Sequence, residues 1–207
     1  MSEDESVHAD PIAPEALPQL LAELIAGHGV GRLNIAVDGA PATHPEQMAE
    51  SVATALRVLG RPAFRVSAGD FLRPASVRLE HGRQDPQAYR SGWLDASALR
   101  REVIEPFRTS GRYLPSLWDA TRDRATRAAP VSTPPGALLL VNGTLLLDKG
   151  LRFDLTVHLS LSRAALARQT AAELKWTLPA YEGYPGVARP DAVVRLDDPR
   201  HPALVRS

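Results

Sequence analysis

The sequence predicts an α/β fold with a mainly parallel central sheet, and three observations carry that reading. Short apolar runs of strand length alternate with amphipathic helical runs, the signature of βαβ units. The strand-like runs are nearly continuous in apolar residues, as strands buried on both faces are. The chain has 207 residues and no cysteine, which is long enough to bury a core as one domain without disulfides or Cys-ligated metal.

Taken in order, residues 1–12 are acidic, polar and without periodicity, and read as a disordered tail before a single domain over 13–207. Pro14 to His28 places Leu17, Leu20, Leu21, Leu24 and Ile25 on one helical face, with Gly27 as a stop. Arg32 to Asp38 is the first strand. Pro45 to Leu59 keeps helical spacing through Met48, Val52, Ala55, Leu56 and Leu59, opens on a proline suited to the first turn and ends at Gly60. Ala63 to Ser67 is a second strand. The polar stretch from Arg73 to Arg83 reads as an exposed loop, and Asp85-Pro86 starts a helix with aspartate as cap. Ala96 to Phe107 is helical through Leu99, Val103 and Phe107, Arg112 to Trp118 is extended, and residues 130–135 form a loop.

Ala137 to Asn142 is the strongest buried strand, followed by a turn at Gly143-Thr144. Asp154 to Ser160 alternates apolar and polar residues, and Ser162 caps a helix expected to reach Lys175. Residues 176–190, with three prolines and two glycines, read as loop, and Asp191 to Leu196 as the last strand.

Lys plus Arg equals Asp plus Glu at 24 each, so no long-range field favours nucleic acid or an anionic membrane surface. No apolar segment of signal or membrane-spanning length follows the acidic start, and the expected address is cytoplasmic. Histidines 8, 28, 44, 81, 158 and 201 show no metal-ligand spacing, so no metal site is expected. His158, between Val157 and Leu159, reads as a satisfied interior or edge histidine. No G-x-S-x-G elbow supports hydrolase chemistry.

The residues after the first strand are the most informative. A phosphate-binding loop, G-x-x-x-x-G-K-[ST], cradles phosphate with backbone N–H groups, a lysine and a metal-holding hydroxyl. Gly39 opens that spacing and Pro41 lies within it, but His44, Pro45 and Glu46 stand at the Gly, Lys and Ser/Thr positions. Proline removes an N–H as well as the cation, and Glu46 brings a carboxylate towards anionic phosphate.

The segments Val66 to Arg73, Gln84 to Phe107 and Leu139 to Gly143, in that order, resemble the uridine kinase branch of the phosphoribulokinase and uridine kinase family. The resemblance covers residues 32–199 and implies a P-loop kinase-like three-layer sandwich that moves a phosphoryl group from ATP, with Mg2+, to a nucleoside hydroxyl. It also implies where chemistry is lost. Gly69 stands at the general-base aspartate, leaving Asp70 one residue along as the candidate base or a local cap. Asn142 replaces a carboxylate near magnesium. The lid helix keeps Arg168, which a solvated helix residue would also explain, but has Gln169 and Ala172 where the family is often basic.

By the same resemblance Arg83, Asp85, Tyr89, Trp118 and Asp119 fall in the nucleoside pocket. Each has a plainer role available: Asp85 as a cap before Pro86, Tyr89 as core, Asp119 as a turn residue. The expectation is a uridine kinase-like protein impaired in phosphoryl transfer, with no firm cofactor and a retained nucleoside-like pocket or protein partner. The alternative is an active nucleoside or small-molecule kinase that uses ATP and Mg2+ through an atypical donor site, with Lys149 or Arg168 as cations. Self-association stays open.

Overall fold

A computed structural model describes residues 10–186 and 188–206. Its main sheet contains β1 (Asp10–Pro11), β2 (Leu33–Gly39), β3 (Ala63–Ser67), β4 (Leu138–Gly143), β5 (Leu155–Ser160), β6 (Ala192–Arg195) and β7 (Ala203–Arg206). The spatial order is β1-β7-β6-β5-β2-β4-β3. The five strands from β3 to β6 run parallel. β7 runs antiparallel to β6 and to β1.

Strand alternation divides the core into two layers. Ile35, Val37, Leu138, Leu140, Leu155, Val157 and Leu159 point to one face, where they bury the apolar stripes of α1 (Leu17–Gly27) and α2 (Pro45–Val58). Leu139 and Val141 point to the other face, against Phe71, Leu99, Val103 and Phe107. Helices thus cover both faces of the sheet, which makes the molecule a three-layer sandwich.

The second face is built by α3 (Ala75–Arg78), α4 (Pro86–Gly92) and α5, a continuous run over 96–110. Asp85 and Asp95 cap α4 and α5 by accepting the Ala88 and Ala98 N–H groups. Within α5, Arg100–Ile104 is a π turn. Pro106 has no N–H to give to Glu102, and the Glu102 carbonyl instead accepts from Leu114 N at 2.9 Å.

Several expectations are corrected. The stretch 73–83 contains α3, and Arg78 is buried because its guanidinium bonds the Arg73 carbonyl at 2.6 Å and lies over Trp93. The helix after Ser162, α6 (Arg163–Gln169), stops at Thr170, whose N–H and hydroxyl both bond the Leu166 carbonyl while its ψ turns extended. A 3-10 helix, Ala172–Tyr181, then occupies part of the expected loop. The chain gains β7 beyond the strand expected to be last. Of the acidic start, residues 1–9 lie outside the described residues, whereas Asp10–Pro11 pairs with β7.

Candidate functional site

β2 leads towards β3 on one side of the sheet, and β4 leads to β5 on the other, so the carboxyl ends of β2 and β4 flank a topological switch point. A cavity of about 370 Å³ opens there. It is bounded by the turn entering α2, by the ends of β3 and β4, and by α4.

Pro41–Thr43 forms a 3-10 turn between β2 and α2. Gly39 is required at its start: a Cβ there would sit 2.3 Å from Thr43 Oγ1 and 2.9 Å from Leu159 Cβ. Thr43 Oγ1 donates to the Ala40 carbonyl at 2.8 Å, as does the Thr43 N–H, and the His44 N–H bonds the Pro41 carbonyl at 3.0 Å. His44 adopts left-handed backbone angles, φ 50° and ψ 55°, and Pro45 follows as the first residue of α2.

Glu46 and Glu50, one turn apart on α2, both pair with Arg65 of β3, at 3.3 and 3.1 Å. Arg65 also donates to Asn142 Oδ1 at 3.1 Å. One guanidinium therefore ties the start of α2 to the end of β4. Asp70 follows β3 on a 3-10 turn. Burial raises its carboxyl above the ordinary value, against the lowering effect of Arg65, while Glu46 and Asp119 add to the rise.

The far wall is aromatic. Tyr89 and Trp93 line the cavity with ring centroids 5.1 Å apart, and Trp176 packs against both. The Trp93 indole N–H is buried without a partner among the described residues. Tyr181 closes this wall, its hydroxyl 2.7 Å from Thr144 Oγ1 and 3.2 Å from the Tyr89 hydroxyl. Burial first, and then Tyr89, push the Tyr181 phenol far above its ordinary value. The cations at the cavity are engaged: Lys149 donates to the Arg90 carbonyl and to Asp148, which also pairs with Arg90 at 3.1 Å.

Of the residues singled out in the sequence, Pro41, His44, Pro45, Glu46, Gly69, Tyr89, Asn142 and Lys149 border this cavity, whereas Asp70 is not among its lining residues. Gly39 lies beneath it. Asp85 is the cap of α4, and Arg83 is exposed. Trp118 and Asp119 lie on a two-residue ladder with Arg124–Ala125, where Asp119 accepts the Thr121 and Arg122 N–H groups. Arg168 donates to the Asp197 carbonyl beyond β6.

Sequence reasoning did not find two features. Arg65 is one, although Glu46 and Glu50 at helical spacing signalled a shared cation. The other is a pair formed by Asp38 and His158, whose Oδ2 and Nδ1 are 2.8 Å apart. Asp38 is fully buried, and its Oδ1 accepts the Leu146 N–H at 2.8 Å.

No family model matches the chain, and no curated protein matches it by sequence. Solved structures do share its fold. A structure described as a candidate uridine kinase from Bacillus stearothermophilus superposes with a TM-score of 0.70 at 18% identity, over 85% of this chain and 96% of the other. A candidate fructose transport system kinase from Silicibacter sp. TM1040 gives 0.59 at 24% identity, over 76% and 79%. The YGR205w protein gives 0.62 at 11% identity, over 93% and 96%. The chain therefore shares the fold of these structures, a P-loop kinase-like α/β sandwich on a mainly parallel sheet. Among the described residues no helix is long and apolar enough to cross a membrane.

Proposed function

We propose that the chain keeps a kinase fold without ATP-dependent phosphoryl transfer, and that it binds a small nucleoside-like ligand at the switch-point cavity. The observation carrying this reading is the turn after β2. The Thr43 and His44 amides, where a working loop offers N–H groups to phosphate, bond backward to Ala40 and Pro41, and Pro45 has none to offer. Phosphoryl transfer depends on positioning and charge neutralisation, so these losses bear directly on rate.

The residues present do not fit Mg-ATP. Arg65 is engaged by Glu46, Glu50 and Asn142, so the cation nearest the turn is already paired with two carboxylates, and Glu46 adds negative charge where phosphate would lie. Among the described residues no cluster of three His, Asp or Glu side chains could hold a metal ion. The cavity instead offers aromatic faces at Tyr89 and Trp93 and the polar groups of Ser67 and Thr144. These suit a planar base with a hydroxylated substituent.

Isothermal titration with uridine and with Mg-ATP tests the reading. Heat from uridine that Trp93→Phe diminishes, with none from Mg-ATP, is the expected result; micromolar Mg-ATP binding overturns it. A second reading, an active kinase with an atypical donor site, draws on Lys149 at the cavity wall and on Asp70. It requires ATP turnover with nucleosides that Lys149→Ala and Asp70→Ala abolish in a coupled assay.

A further inference from the structure

The Asp38–His158 pair lies outside the switch-point cavity, and its histidine borders a second one of about 750 Å³. This cavity is enclosed by the end of β5, α6 and the segment 172–184. Tyr181 stands between the two cavities: it lines the second and bonds Thr144 and Tyr89 of the first.

The pair is a product of strand register. Asp38 on β2 lies opposite His158 on β5. Because Val157 and Leu159 face α1 and α2, His158 and Asp38 share the other face of the sheet. A carboxylate has only acceptors, so the proton in the 2.8 Å bond belongs to His158 Nδ1, and in the neutral ring Nε2 is then the acceptor. Nε2 has no hydrogen-bond partner among the described residues, and the side chain, 11% exposed, lines the cavity. The ring is held in place by Tyr184, edge-on at 5.7 Å, whose own hydroxyl is fixed by the Leu147 N–H at 3.0 Å. This is an oriented, single-tautomer acceptor presented to a cavity, a more specific arrangement than a buried histidine needs for packing.

The opposite rim is cationic. Lys175 is exposed and makes no ion pair among the described residues, and Arg163 pairs only with the exposed Glu182, at 3.1 Å. We propose that this second cavity binds a small hydroxylated anion, its hydroxyl donating to His158 Nε2 and its charged group held by Lys175 and Arg163, with Asp38 as the residue that positions His158. The proposal does not rest on the reading of the switch-point cavity, since its groups and its test are separate.

Glycerol 3-phosphate is the probe, with glycerol and inorganic phosphate as single-feature controls, read by the imidazole nitrogen resonances of the full chain. Glycerol 3-phosphate at about 10 mM, a concentration matched to weak single-site binding, is expected to shift His158 Nε2, whereas glycerol or phosphate alone does not. Lys175→Ala, on an exposed residue that leaves the fold intact, is expected to weaken this binding about tenfold, the size of one charge-assisted hydrogen bond. Asp38→Asn can still accept the Leu146 N–H while donating to Nδ1. It should therefore move the imidazole proton to Nε2 and abolish the ligand-induced shift. Unmoved His158 nitrogens, an equal response to phosphate alone, or full binding by Lys175→Ala overturns the proposal.

Discussion

Gly39 shows how one missing atom fixes the start of the site. Its backbone is not in the left-handed region; what demands glycine is space, because a Cβ would meet Thr43 Oγ1 and Leu159 Cβ well inside contact distance. Thr43 cannot yield cheaply, as its hydroxyl is tied to Ala40. Gly39→Ala is expected to cost about 1–3 kcal/mol, in the range of overpacking a filled core, measured by urea unfolding. Asp70 carries the second prediction at this scale. Burial raises its carboxyl above 3.8, so the fold favours the protonated form; its contribution is whole below the unfolded value and fades as pH rises through the native one. Asp70→Asn should therefore stabilise by a few tenths of a kcal/mol near neutrality, the scale of a partly exposed site, and this gain should vanish in acid. A midpoint shift of equal size at both pH values would contradict the assignment.

Among the elements, the turn into α2 is the most constrained, because three consecutive residues combine a 3-10 turn, a left-handed histidine and a proline. His44→Gly relieves the left-handed strain but loosens the unfolded chain, for a net gain of about 0.5 kcal/mol. Denaturant midpoints check this, and a loss would mean that the His44 side chain has an unrecognised contact. Elements with long periodic patterns were legible in the sequence. α2 begins at Pro45 as expected, and β3 spans Ala63–Ser67 as read. β7 was not, because of its described side chains only Leu204 enters the core. α6 was overextended because its composition suits a helix, whereas Thr170 ends it by turning its hydroxyl back onto Leu166. The candidate site divides in the same way. Tyr89 and the turn residues sit in contiguous segments that a motif can locate. Asp38 and His158 are 120 residues apart and meet only through the register of β2 with β5, which local periodicity does not encode.

At the scale of the whole molecule, the sheet order sets two cavities on either side of Tyr181 while the chain's charges balance, so ligand recognition depends on local groups rather than on a global field. That makes thermal stability a clean reporter. A ligand that binds only the native state stabilises it by RT ln(1 + [L]/Kd), about 2.7 kcal/mol at a hundredfold excess over Kd. For a chain of this length each kcal/mol moves the Tm by roughly 2–4 °C. An ATP-using kinase with a Kd of about 10 μM would thus gain on the order of 5–10 °C from about 1 mM Mg-ATP. On the proposed reading, the inward-bonded amides of Thr43 and His44, with Arg65 already engaged, do not supply such affinity. A Kd no tighter than about 1 mM leaves at most about 0.4 kcal/mol and a shift of no more than about 2 °C. Differential scanning fluorimetry with Mg-ATP and uridine in parallel is expected to give that small shift for the nucleotide and a larger one for the nucleoside. A nucleotide shift above about 5 °C would restore the donor site and with it the active-kinase reading.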